Sequence, residues 1–243
     1  MRTPDAASPD DVEPFKITAR VNGKAGEIDI YSEIGFWGVT ASGFKAALKD
    51  MGAVESLTVN INSPGGDVFD GIAIYNDLVT HKADVTVRVT GMAASAASLI
   101  AMAGDRIEMG AASFLMIHNA WTYAAGDHRA MTDVAKVLEK INLKLSAVYS
   151  KRSGQDETEI RNLMDAETWL DSGDAIELGM ADAVFNDGEP VNASIDLSQF
   201  RNVPAALKKR ASRPVAKPSK PAPQKADPAI LESLRALTRA VAA

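Results

Sequence analysis

The chain has 243 residues, 26 Lys and Arg against 32 Asp and Glu, a net charge of −6, and no cysteine. That length suits one sizeable domain with appendages, and the missing cysteines exclude disulfides and thiolate metal sites. The three histidines, His81, His118 and His128, are too scattered to form a close-spaced ligand pair, so no metal site is expected.

The N-terminus, residues 1–14, is polar and Pro-rich, with no apolar core of a secretory signal. We read it as a flexible arm. Glu27 to Tyr31 alternates and predicts a strand, and Ala41 to Asp50 predicts a short helix. Ser56 to Asn62 is the next strand, followed by the turn Ser63-Pro-Gly-Gly66. Val68 to Val79 places Ile72, Tyr75, Leu78 and Val79 at helical spacing. Val85 to Thr90 is a strand, and an Ala-rich helix begins at Ser95. Ile107 to Met109 and Phe114 to Ile117 are further short strands. Ala130 to Lys151 is a long amphipathic helix with Val134, Val137, Leu138, Ile141, Leu145 and Val148 on one side. Asp156 to Met164 and Asp174 to Gly179 are helical, and Ala183 to Phe185 is a last strand. Alternation of strand and helix argues an α/β class with mostly parallel pairing.

The signals fade after Asn186, where we begin a Pro/Lys-rich linker over 187–228. Lys208 to Pro228 holds seven Lys or Arg and one Asp, and Ala211 to Pro228 holds five prolines. The rest of the chain then carries −12, a balance that does not suit nucleic acid. Residues 229–243 recover a stripe of Leu231, Leu234, Leu237 and Val241 and predict an amphipathic helix. The longest weakly polar stretch, Val89 to Gly104, is shorter than the ~20 apolar residues of a membrane span. The expectation is a soluble cytoplasmic protein with no membrane partner.

Three segments carry chemistry. Gly91-Met-Ala-Ala-Ser-Ala-Ala97 puts Ser95 where a strand gives way to a helix, among small residues, at the positive end of a helix dipole. A peptide can approach such a hydroxyl, and backbone amides can face a developing oxyanion. Ile61-Asn-Ser-Pro-Gly-Gly-Asp67 lies upstream, and Leu115-Met-Ile-His-Asn119 downstream. A serine nucleophile needs a base, and His118, at the end of an apolar strand, is the natural one. Ser98, one turn on from Ser95, is expected to bond the helix backbone instead of reacting.

In this order the three segments resemble the ClpP family of serine peptidases, over roughly Phe15 to Phe185. The resemblance is nearest to the ClpP-related head maturation proteases of tailed bacteriophages, which carry similar sequence in Gly35-Phe-Trp-Gly38, Ile61 to Val68, Gly91 to Ser98 and Asp165-Ala-Glu-Thr-Trp169. It implies a ClpP/crotonase-like spiral of β-β-α units and a triad of Ser95, His118 and a carboxylate. Matching back from Glu177-Leu-Gly179 puts Glu167 at the carboxylate position, where the family usually has Asp. Asp165, two residues away, is the alternative. The resemblance also implies an oxyanion hole from the N–H groups of Gly66 and Ala96, and no cofactor.

The function so implied is ATP-independent endoproteolysis of phage scaffold and major capsid protein inside the assembling prohead, by a ring homo-oligomer joined through the helix Ala130 to Lys151. The competing readings are an inactive ClpP-fold assembly module, a housekeeping ClpP-type peptidase, a crotonase-type acyl-CoA enzyme and a Ser-Lys peptidase. An intact Ser95 and His118 speak against the first. No phosphate-binding signal supports the crotonase reading, and no lysine stands at an obvious site.

Overall fold

A computed structural model describes residues 17–185, 197–205 and 207. The expected arm at 1–14, the terminal helix at 229–243 and most of the linker at 187–228 lie outside these. In chain order the elements are β1 (Thr18–Asn22), β2 (Ala25–Ile30), α1 (Ala41–Met51), β3 (Ser56–Ser63), α2 (Val68–Val79), β4 (Asp84–Ala94) and α3 (Ala96–Ala101). Then follow β5 (Arg106–Gly110), β6 (Phe114–Ile117), α4 (His128–Ser153), α5 (Glu157–Asp165), β7 (Thr168–Asp171), α6 (Ser172–Glu177) and β8 (Ala183–Phe185).

One sheet joins the strands in the order β1-β2-β3-β4-β5-β8, with β6 and β7 branching from β4. The run from β2 through β3, β4 and β5 to β8 is parallel, while β1 pairs antiparallel with β2. Parallel strands are covered on both faces and so read as near-continuous apolar runs. Leu57, Val59, Ile61, Val85, Val87 and Val89 are all buried, and α2 and α3 add Ile74, Leu78, Leu99 and Ile100 to the same core. Aspartates start the later helices: Asp67 caps α2, Asp127 α4, Asp156 α5 and Asp171 α6, each accepting backbone N–H bonds left over at a helix start.

Several boundaries differ from the sequence reading. β1 was not expected, because all five of its residues are exposed and no alternation marks it. β7 was also missed. Its four residues are strand only because they pair with β6. β4 runs four residues beyond the expected Thr90, through Gly91 to Ala94. This extension changes partners. Thr86 to Val89 pair with β5, whereas Met92 to Ala94 pair with β6.

Residues 197–205 and 207 fall in the expected linker but pack on the domain. Phe200, Val203 and Leu207 are buried against Met92, Ala94 and Met116, beside Trp169. The sequence reading began the linker too early because Phe200, Val203 and Leu207, although at helical i, i+3, i+7 spacing, make only a short run broken by Pro204. No helix among the described residues is long and apolar enough to cross a membrane.

Candidate active site

The branch in β4 builds the site. Ala94 pairs with Met116 in parallel register, and the Ser95 N–H donates to the Met116 carbonyl at 3.0 Å. Two residues on from Met116, His118 comes level with the Ser95 side chain. His118 Nε2 and Ser95 Oγ are 2.8 Å apart. With Nε2 unprotonated, the hydroxyl donates to it, as attack by oxygen requires.

Ser95 is strained. Its φ of 55° and ψ of −126° lie outside the ordinary regions for a residue with a Cβ. The following helix fixes this conformation. Ser98 and Leu99 N–H groups both donate to the Ser95 carbonyl, and the Ser98 hydroxyl adds a third bond to it at 2.7 Å. That hydroxyl also lies 2.8 Å from the Tyr149 hydroxyl. Since Ser98 spends its one hydrogen on Ser95, Tyr149 is the donor in the second bond. Tyr149 is fully buried on α4, and burial pushes its phenol up to about 12, so it remains a donor at any working pH. Tyr149 is thus a support of the nucleophile turn that the sequence reading did not single out.

The Gly65-Gly66 turn lies against this junction. A Cβ on Gly65 would stand 2.7 Å from the Ser95 Cβ, and one on Gly66 would stand 2.1 Å from the Ile34 carbonyl oxygen. Gly66 has a φ of 144°, closed to other residues. Helix geometry leaves the N–H of Ala96, the first residue of α3, without an intrahelical acceptor. The expected oxyanion donors, Gly66 and Ala96, therefore flank Ser95 and line the same cleft.

On the other side of His118, β6 and β7 pair antiparallel with Ile117 opposite Thr168. The ladder ends there, with His118 one residue beyond Ile117 and Glu167 one residue before Thr168, and the Glu167 charge acts on the imidazole. The Glu167 side chain is 3% exposed, and its φ of 51° is positive. Ser95 and Glu167 are the two non-glycine residues with positive φ among those described, and they flank the same imidazole. Strain of this kind persists only where the surroundings over-determine it. Asp165 points elsewhere: it accepts a bond from Asn119 Nδ2 at 2.6 Å. His81 accepts the Ala83 N–H in a turn, and His128 is the first residue of α4 instead of preceding a helix. Both lie apart from the cleft lining.

Burial holds the His118 imidazole below its ordinary 6.5. Glu167 acts against that shift by its negative charge, and Arg201 acts with it. The imidazole is therefore mostly neutral at pH 7, the form that can accept a proton, and the Glu167 charge favours its protonated form.

The cleft in front of Ser95 measures about 640 Å³. One wall is apolar, from Leu99 on α3 and Val134, Leu138, Ile141 and Leu145 on α4. Carboxylates of Glu33, Asp67 and Asp133 also line it.

A serine hydroxyl hydrogen-bonded to an imidazole at the wall of a cleft of this size is an arrangement suited to acyl transfer through a covalent intermediate, the chemistry of serine hydrolases. Comparison with known proteins narrows the class. The family model for Clp protease matches residues 46–188. Proteolytic subunit 3 of the chloroplastic ATP-dependent Clp protease of Arabidopsis thaliana is 32% identical over 136 residues, which cover 55% of this chain and 44% of that protein. The ATP-dependent Clp protease proteolytic subunit of Bacteroides fragilis is 31% identical over 150 residues, covering 60% and 72%. That of Chlorella vulgaris is 33% identical over 132 residues, covering 54% and 66%. The chain thus spans less than half the length of the Arabidopsis relative and about two thirds of the others. It belongs to the Clp protease family, and with it to the serine peptidases.

Proposed function

We propose that this protein is an ATP-independent serine endopeptidase in which Ser95 is the nucleophile, His118 the base and Glu167 the orienting carboxylate. The observation that carries the reading is the 2.8 Å approach of Ser95 Oγ to His118 Nε2 from a strained strand-to-helix turn. Ser95 Oγ attacks the peptide carbonyl carbon while its proton passes to His118 Nε2. The carbonyl oxygen becomes an oxyanion and accepts the Gly66 and Ala96 N–H groups. The imidazolium then protonates the leaving amine, the C–N bond breaks, and an acyl ester remains on Ser95. Water, deprotonated by His118, cleaves that ester. The apolar wall beside Ser95 takes an apolar side chain next to the scissile bond.

The substrates we infer are scaffold and major capsid protein of a tailed phage, cleaved in the host cytoplasm within the assembling prohead. Support comes from the resemblance of Gly35 to Gly38 and Asp165 to Trp169 to head maturation proteases. Self-association belongs to this reading. Along α4, Leu143 is exposed at 40% and stands outside the cleft lining, and it offers a contact for another copy. A second reading is favoured by the names of the relatives, which are ATP-dependent proteolytic subunits. In that case an unfoldase feeds the site.

Purified protein and its Ser95→Ala variant, incubated with the phage's scaffold protein without nucleotide, test the choice. Discrete cleavage by the parent alone is expected. Cleavage that demands ATP and an unfoldase would favour the second reading.

A further inference from the structure

The Clp protease match ends at residue 188, yet residues 199–202 reach the site from beyond it. The Asn202 N–H donates to Glu167 Oε1 at 2.6 Å, and Asn202 Nδ2 donates to the Ala166 carbonyl at 2.8 Å. Arg201 Nε lies 4.0 Å from Glu167 Oε2. Phe200 meets the His118 ring edge-on at 5.9 Å between centroids and the Trp169 ring at 5.5 Å. Gln199 and Phe200 also line the cleft. This segment is anchored, since Phe200, Val203 and Leu207 are buried on the sheet. Glu167 has one more methylene than Asp, and so one more rotatable bond to fix. Among the described residues, its hydrogen bond runs to Asn202, and it acts on His118 through charge.

We propose that residues 200–202 are positioning residues of the peptidase site: the Asn202 backbone N–H and Arg201 fix the Glu167 carboxylate, and Phe200 packs the His118 ring from the opposite element. The proposal rests on the assignment of Ser95, His118 and Glu167 above. Its content is that a catalytic carboxylate supplied by the family domain is set in place by chain lying C-terminal to that domain. Oε1 accepts the Asn202 backbone N–H while Oε2 lies toward Arg201, so both oxygens of the carboxylate are set from this segment. A charge-assisted bond of this kind is among the stronger hydrogen bonds in a protein.

The test uses the full chain and a fluorogenic peptide amide with leucine before the aminocoumarin, with fluorophosphonate labelling of Ser95 alongside. Asn202→Pro removes the backbone donor, whereas Asn202→Ala keeps it. The first should lower kcat roughly tenfold to a hundredfold with KM little changed, and the second, which loses only the side-chain bond to the Ala166 carbonyl, should lower it clearly less. Arg201→Met gives an independent reading, because the Arg201 side chain is 82% exposed and its loss does not threaten folding. The charged groups acting on His118 are Glu167 and Arg201, with Asp165 tied to Asn119. Removing the cation should move the acid limb of kcat/KM to higher pH, a change that a merely structural role would not produce. Parent-like kcat in Asn202→Pro together with an unmoved acid limb in Arg201→Met overturns the proposal, as does a rise in rate, which would make the segment a brake. If the parent itself neither labels at Ser95 nor hydrolyses the peptide, the underlying assignment fails and the proposal falls with it.

Discussion

Ser95 and Glu167 flank one imidazole, and the protein secures them by different means. Ser95 stands at the centre of the sheet, one residue past a strand that is hydrogen-bonded on both sides. Its strained backbone is clamped by three donors from its own helix, backed by Tyr149. Glu167 stands in the turn between α5 and β7, a strand paired on one side only. Its carboxylate is held by Asn202 and Arg201, thirty-odd residues further along the chain. Ser95 and His118 are thus fixed by the core, whereas Glu167 depends on a late segment that packs on that core. The first half of the site should be robust to surface change and the second sensitive to it.

The largest effects break the central half. Ser95→Ala and His118→Ala should each reduce peptide hydrolysis by roughly a millionfold, because groups that act as a unit fail together. Circular dichroism should show both variants folded, since neither side chain fills the core. On the other side of the ring, Glu167→Gln should cost about four orders of magnitude in kcat. Asp165→Asn should remain within about tenfold of the parent, because its partner is Asn119 and not the imidazole. Reversal of those two results would put the register of β7 two residues out.

Gly66→Ala tests the oxyanion side. Its Cβ would stand 2.1 Å from the Ile34 carbonyl, so the turn must shift and carry its N–H with it. The loss of one oxyanion donor should lower kcat by about 10²–10³. The pH profile sharpens the comparison further. Because burial holds His118 below 6.5, the acid limb of kcat/KM should have its midpoint below pH 6.5, where the imidazole protonates. In Glu167→Gln the residual activity should show an acid limb lower still, since the anion that raises the imidazole is gone. The smallest effect is expected for Tyr149→Phe. Ser98 keeps its bond to the Ser95 carbonyl, and the variant should lose about 1 kcal/mol in chemical denaturation.

The same division decided what could be read from sequence. Ser95, His118, Gly66 and Ala96 lie in short motifs whose geometry is local: a strand end, a glycine turn, a helix start. Their neighbours in sequence are also their neighbours in space, or lie on the adjoining parallel strand. Glu167 and Asp165 remained open because spacing alone does not settle a pairing register, and a shift of two residues keeps a side chain on the same face. The ladder Ile117 to Thr168 and the bond from Asn119 to Asp165 are what favour Glu167 in our proposal. Residues 200–202 gave no signal at all. Asn202 contributes a backbone N–H, which any residue but proline carries, and Phe200, Val203 and Leu207, though at helical i, i+3, i+7 spacing, form too short a run, interrupted by Pro204, to stand out. The unpatterned β1 was hidden for a related reason, since an exposed edge strand needs no apolar face.

The central claim is that Ser95 is the acylated nucleophile and that His118 activates it. Fluorophosphonate treatment of the parent, His118→Ala and Ser95→Ala chains, followed by mass-spectrometric mapping of the adduct, tests it most directly. The account predicts a single adduct on Ser95 in the parent, strongly slowed labelling in His118→Ala and none in Ser95→Ala. An adduct on another residue, or labelling that survives Ser95→Ala, would contradict it.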